Sequence, residues 1–173
     1  LELFKVDKLN IHHGQIRCWI AKKNTYKIDK KLASLIKYEN MNGRIHKKGL
    51  SQFKKKVMEI KYKLGKLLQE QKKIGKKVVG YGAPAKASTL ITFLNIKKDL
   101  LPYIVDKNPL KQNCYIPGAR IPIYPVKKIY EEKPDFLINF AWNFIDEIKA
   151  QNKKFLKKGG KIINPIPELQ IIK

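Results

Sequence analysis

The stretch from Lys76 to Lys86, KKVVGYGAPAK, constrains this chain more than any other. Val78–Tyr81 is apolar and reads as a strand, and Pro84–Leu94 reads as a helix with proline allowed in its first turn. Between them Gly80-Tyr81-Gly82-Ala83-Pro84-Ala85 satisfies G-x-G-x-x-A. The first glycine permits a tight turn, the second lets backbone approach a bound group, and the small third residue lets helix and strand pack closely. A helix start placed there presents free N–H groups to an anion. Lys86 adds a cation in the first helical turn. The pattern also asks for an acid at the end of the second strand, and Asp106 stands there. Read alone, this combination suggests a dinucleotide such as NAD.

From Lys76 onward the pattern alternates strand and helix. Leu100–Asp106 reads as a second strand, Val126–Glu132 as a short helix, Phe136–Phe140 as a third strand, Asn143–Leu156 as a helix and Lys161–Ile163 as a last strand. Strands separated by helices pair in parallel through right-handed crossovers, and runs such as FLINF suit strands buried on both faces. The expected fold class is α/β, a Rossmann-like parallel sheet domain over residues 76–173, preceded by a β-hairpin remnant and a long linking helix.

The hairpin covers residues 1–23, where two alternating runs flank His12-His13-Gly14-Gln15. Two strands alone are marginal, so the expectation is a hairpin that closes a larger sheet lying upstream. Residues 24–75 form a connector with a short helix, Asp29 to Tyr38, a break at Asn42-Gly43, and a long amphipathic helix over residues 46–74 that Gly75 ends. Leu50, Phe53, Val57, Ile60, Leu64, Leu67 and Ile74 form its apolar stripe. That stripe suits packing on a sheet, and it also admits a helical interaction module.

The formal charge of +24 favours an anionic ligand. It does not point to nucleic acid, because only Arg17, Arg44 and Arg120 are arginine and the lysines are spread along the whole chain. Cys18 and Cys114 are distant and lack metal spacing, so reduced thiols of a cytoplasmic protein are expected and no metal site is. No apolar run is long enough for a bilayer, and no membrane partner is expected.

In an open α/β sheet, ligands bind beyond the carboxyl ends of the strands. Asp106, Asn108 and Lys111 fall at that edge, in DKNPLKQ, and so do Trp142 and Asn143 after the third strand. Gly80, Tyr81, Gly82, Ala83, Lys86, Asp106, Asn108 and Lys111 are therefore the candidate ligand-binding residues. His12, Gly14 and Arg17 on the hairpin are candidates for the edge of an active site completed from outside the chain. No nucleophile–His–acid set can be assembled, and no residue is assigned as catalytic.

GYGAPAKASTL, then VDKNPLKQNCYIPGARIPI, then PDFLINFAWNFIDEI, then GGKIINPIPE strongly resemble, in order and spacing, the C-terminal domain of class I S-adenosylmethionine-dependent sugar C-methyltransferases. The resemblance covers residues 76–168. IHHGQIR is similar to that family's I-H-G-G-S-L-R, with His13 where glycine is usual and Gln15 where serine is usual; Asn113 likewise replaces a glycine. The resemblance implies a nucleotide-linked deoxysugar as substrate and S-adenosylmethionine as methyl donor in the full-length enzyme. It also implies an upstream zinc-binding part, a donor-binding domain and a catalytic histidine motif. None of these is matched here. The chain is thus expected to be a C-terminal piece that contributes to substrate binding and packs on upstream domains of the same polypeptide, inactive alone and without bound donor. The alternatives are a free-standing NAD- or nucleotide-binding domain and a helix-mediated interaction module. The oligomeric state, the sugar and the methylated carbon are left open.

Overall fold

A computed structural model describes residues 1–11, 14–41 and 46–173. The expected turn at His12-His13, the break at Asn42-Gly43 and Arg44 lie outside the described residues. The chain divides into two compact units, Leu1–Val57 and Met58–Lys173, and the boundary falls inside one long helix.

In the first unit, β1 (Glu2–Leu9) and β2 (Gln15–Ala21) form the expected antiparallel hairpin, with Val6 opposite Cys18 and Asp7 opposite Arg17. The Trp19 indole N–H donates to Asp7 Oδ2 at 2.7 Å, and this bond, with Lys5 nearby, holds the Asp7 carboxyl below its ordinary value. The connector returns to β1: Phe4 stacks on Tyr26 at 4.6 Å and the Asp29 N–H donates to the Phe4 carbonyl. Helix α1 (Lys30–Met41) begins one residue later than expected, because the Asp29 carboxylate accepts the Lys31 N–H and so acts as its cap. Among the described residues of this unit, Val6 and Leu32 are the buried apolar side chains, whereas Ile16 and Ile20 on β2 are exposed.

Helix α2 (Lys47–Lys73) fills the range expected of the long helix, and Gly75 closes it at φ +72°. Its stripe is used unevenly. Leu64 and Leu68 are buried on the sheet of the second unit, Leu67 is half-buried, and Leu50, Phe53 and Ile74 are exposed. The expected seam ran through Leu67; the packed face is turned slightly, so that Leu68 points inward.

The second unit is built on a six-stranded sheet. In chain order its elements are β3 (Val78–Tyr81), α3 (Ala85–Leu94), β4 (Ile104–Val105), β5 (Ile123–Tyr124), α4 (Lys128–Glu132), β6 (Phe136–Asn139), α5 (Ile145–Gln151), α6 (Lys153–Lys157), β7 (Lys161–Asn164) and β8 (Gln170–Ile172). The spatial order is β5-β4-β3-β6-β7-β8, parallel throughout except that β8 runs antiparallel to β7. The first strand of the unit is central and the order reverses beside it, which is the doubly wound Rossmann arrangement.

Side chains alternate between two cores. Val78, Ile104, Ile138 and Ile163 pack with Leu64, Leu68, Ala87 and Ile91 from α2 and α3. Val79, Val105, Leu137 and Ile162 pack with Ile129, Ile148 and Phe155 from α4, α5 and α6. Each fully buried side chain contributes roughly 1.5–3 kcal/mol of transfer free energy.

Four elements differ from expectation, the first being β8, which follows the expected last strand and pairs with it. The second strand pairs in the ladder only at Ile104–Val105, since Pro102 lacks an N–H. Strand β5 lies inside the turn-rich loop, flanked by Pro122 and Pro125, and prolines are tolerated at a sheet edge. The expected helix Asn143–Leu156 breaks at Asn152, whose buried side-chain amide donates to the Ile148 carbonyl at 2.9 Å and bends the chain between α5 and α6.

Gly80 lies within β3, where a Cβ would sit 2.6 Å from Ile104 Cγ1 and 2.9 Å from Phe140 Cε2. Its absence of a side chain serves sheet packing, not a turn. Gly80→Ala is expected to destabilise the second unit by about 1–3 kcal/mol through overpacking. Urea unfolding checks this, and an unchanged midpoint contradicts the packing account.

Candidate functional site

The order reverses between β3 and β6, and the carboxyl ends of β3, β4, β6 and β7 lie along one edge of the sheet, the edge at which open α/β sheets bind ligands. Gly82 turns the chain out of β3 at φ +81°, and its N–H donates to the Val105 carbonyl at 2.7 Å. A Cβ on Gly82 would also lie 3.1 Å from Ala141 Cβ, so both backbone angle and space select glycine here. Pro84 then caps α3 in an extended conformation (φ −71°, ψ 164°) with no side chain on the helix start.

The next backbone N–H, that of Ala83, is already taken. It donates to Asp106 Oδ2 at 2.6 Å. The other carboxylate oxygen, Oδ1, accepts the Asn108 N–H at 2.8 Å, and Asn108 Oδ1 in turn accepts the Leu110 N–H at 3.0 Å at the start of a 3-10 turn, Pro109–Lys111. Lys111 Nζ donates to the Ala83 carbonyl at 2.9 Å and lies 3.9 Å from Asp106 Oδ2. Gln112 Nε2 donates to the Asp106 carbonyl at 3.0 Å. The Asp106 side chain is only 12% exposed. Gly82, Ala83, Asp106, Asn108 and Lys111 therefore form one closed hydrogen-bonded unit.

Beside it, Lys86 reaches across from α3. Its ammonium donates to Asn143 Oδ1 at 2.8 Å and lies 4.1 Å from the centre of the Trp142 ring. Burial pushes the Lys86 amine below its ordinary value. The aromatic face supplies negative quadrupole to a partly desolvated cation, which holds the side chain in place. Trp142 and Asn143 occupy a short 3-10 turn, Trp142–Phe144, just after β6.

Two candidates point elsewhere. Gly80 faces the core against Ile104 and Phe140. Tyr81 is buried on the opposite face of the sheet, where its hydroxyl donates to Gln151 Oε1 at 3.1 Å and burial pushes its ionisation up. Gly14, at φ +116°, and Arg17 belong to the hairpin of the first unit and are exposed. His12 lies outside the described residues.

The sequence reading missed the buried polar pair under this edge. Asn139 Nδ2 donates to Asn164 Oδ1 at 3.0 Å, Asn139 Oδ1 accepts the Ala141 N–H at 2.9 Å, and Asn164 Nδ2 donates to the Ile166 carbonyl at 2.9 Å. The signal was present: FLIN and KIIN each end an apolar strand in asparagine. Among the described residues no group of three His, Cys, Asp or Glu could hold a metal ion, and no helix is long and apolar enough to cross a membrane.

Asp106 ties two turns together, so Asp106→Ala leaves the Ala83 and Asn108 N–H groups without their acceptor. A loss of about 2 kcal/mol in unfolding free energy is expected, with faster hydrogen exchange at both amides. Unaltered exchange at Ala83 would remove the carboxylate from its closing role.

With this geometry in hand, comparison with known proteins adds the family. The profile of the C-methyltransferase C-terminal domain family matches residues 10–167. C-methyltransferase NovU of Streptomyces niveus is 29% identical over 173 residues, 99% of this chain and 41% of that protein. The chain thus spans 41% of the length of that curated relative. Among solved structures, UDP-D-quinovosamine 4-dehydrogenase from Vibrio fischeri superposes with a TM-score of 0.41 at 18% identity, covering 57% of this chain and 93% of its own. A family match that takes in the end of the hairpin, the connector, the long helix and the parallel sheet together leaves a single conclusion: the chain belongs to the C-methyltransferase C-terminal domain family.

Proposed function

We propose that this chain is the C-terminal part of a cytoplasmic, S-adenosylmethionine-dependent C-methyltransferase acting on a nucleotide-linked sugar, and that its sheet edge contributes to holding that substrate. The reading rests on family membership and on one observation at the edge, the Asp106 carboxylate closing the glycine turn. A dinucleotide site needs the turn's N–H groups free for pyrophosphate and its acid free for a ribose hydroxyl. Here Ala83 N–H and Asp106 satisfy each other, and the second carboxylate oxygen holds Asn108. That arrangement speaks against NAD at this turn.

Two cations fixed at the edge are Lys86 and Lys111. An anionic diphosphate suits them. Lys86 supplies a partly desolvated positive charge, whose attraction to phosphate exceeds that of an exposed lysine. Trp142 offers a flat face for a base or a sugar. Gly82, Ala83, Asp106 and Asn108 then serve as the scaffold that fixes Lys111, not as direct contacts.

The same edge does not fit the methyl donor. A sulfonium is a cation, and two lysines would repel it. Methyl transfer from such a donor also requires a base to form a carbanion beside a sugar keto group, and none of the described candidates at this edge, Lys86, Asp106, Asn108 and Lys111, is placed to be one. In this reading the donor and the base belong to other parts of the polypeptide. Exposed Ile16 and Ile20 on the hairpin, and Leu50 and Phe53 on α2, are consistent with packing against those parts.

Titration calorimetry of the chain with UDP, dTDP and NAD tests the proposal. A nucleoside diphosphate is expected to bind, NAD is not, and Lys86→Ala should weaken binding by about tenfold, the equivalent of ~1.4 kcal/mol. Binding of NAD with no binding of either diphosphate would sink it.

A further inference from the structure

We infer that Asn139 and Asn164 are positioning residues for the sheet edge: their side-chain hydrogen bonds fix the turn that carries Trp142 and, through it, the placement of Lys86. The inference rests on the proposed function only for what the edge is used for; the positioning itself is geometric.

Both side chains are buried, Asn139 fully and Asn164 to 4% exposure, at the ends of neighbouring parallel strands. A buried amide left unpaired is costly, so such groups persist where their bonds are satisfied. Here the bonds run in one direction along the edge. The Ile166 carbonyl accepts from Asn164, Asn164 accepts from Asn139, and Asn139 accepts from Ala141. Ala141 is the residue before Trp142, and its carbonyl accepts the Phe144 N–H at 2.8 Å, closing the turn that displays Trp142 and Asn143. The preceding residue is also held, since the Phe140 N–H donates to the Tyr81 carbonyl at 2.9 Å. Ile166 and Trp142 both pack on the same apolar core. The exit from β7 and the exit from β6 are thus locked together by buried side chains.

Apolar residues at these positions would leave the Ala141 N–H and the Ile166 carbonyl without these partners. An Asn–Asn link specifies one geometry of two turns, and its effect is felt at the next residues along the chain. Lys86 makes both of its edge contacts, to Asn143 Oδ1 and to the Trp142 ring, with residues of that turn.

The chain contains two tryptophans, Trp19 and Trp142, so Trp19→Phe isolates the fluorescence of Trp142. In that background, Asn139→Ala is expected to raise the acrylamide quenching constant of Trp142 by about twofold or more as the turn loosens. Asn164→Ala, which leaves the Asn139 acceptor for the Ala141 N–H in place, should give a smaller rise. Ile138→Val, a buried change on the same strand that leaves the link intact, is the control for lost packing. If Asn139→Ala does not fold, Asn164→Ala carries the comparison. The expected result is quenching that rises in the asparagine variants and not in Ile138→Val. Equal quenching in Asn139→Ala and Ile138→Val overturns the inference. Binding of UDP by the parent is read separately, so a failed substrate reading shows as no binding by the parent with the quenching contrast intact.

Discussion

A single carboxylate organises the carboxyl edge of the sheet. Asp106, at the end of β4, accepts the backbone N–H of Ala83, which has just left β3. An ionised acceptor makes this bond about twice as strong as a neutral one, and the side chain is nearly enclosed. The remaining geometry follows from it. The second oxygen starts the Asn108 turn, that turn delivers Lys111, and Lys111 returns to the Ala83 carbonyl. A loop rich in Asn, Pro and Gln becomes a rigid rim because each polar group meets a partner within a few residues or across one strand.

This closure changes the meaning of a glycine-rich turn. G-x-G-x-x-A after a strand describes a backbone path, and the path is present: Gly82 has the positive φ, and α3 starts at Ala85. What the pattern cannot encode is whether the N–H groups on that path are vacant. In this chain the protein's own carboxylate accepts the Ala83 N–H. The first glycine also has a different task from the one the pattern assigns, because Gly80 is demanded by Ile104 and Phe140 packing across the sheet.

Legibility in the sequence followed the range of the interactions. Elements set by local periodicity were readable: the β3 strand, α3, β6, β7, the hairpin and the long helix all lie within a few residues of their expected limits. Elements set by distant pairing were not. Strand β5 has two residues and exists because Ile104 and Asp106 donate to the Pro122 and Tyr124 carbonyls. Strand β8 exists because β7 offers a free edge to Ile171 and its neighbours. At the candidate site, residue types singled out Lys86, Asp106, Asn108 and Lys111, but not the hydrogen bonds among them and their neighbours. Tyr81 looked like part of the turn, yet period-two alternation sends its ring to the opposite face. Asn139 and Asn164 were passed over because each sits at the end of an apolar run, and only the parallel pairing of β6 with β7 brings them together.

The lysine content makes the same point about function. With 38 basic and 14 acidic residues, a lysine near any surface feature carries little information by its type. Most of these ammonium groups are exposed, and water and salt screen them strongly. Lys86 differs in its surroundings, not its identity. It is partly removed from water, it faces an indole ring, and an asparagine carbonyl fixes its direction. A cation held in this way has already lost part of its hydration and its rotamer freedom before a ligand arrives. Under the proposed function, an incoming phosphate would meet a preorganised charge and gain more from it than from a freely moving lysine. In a chain saturated with positive charge, any selectivity for an anion must come from such placement, and at Lys86 the turn after β6 provides that placement.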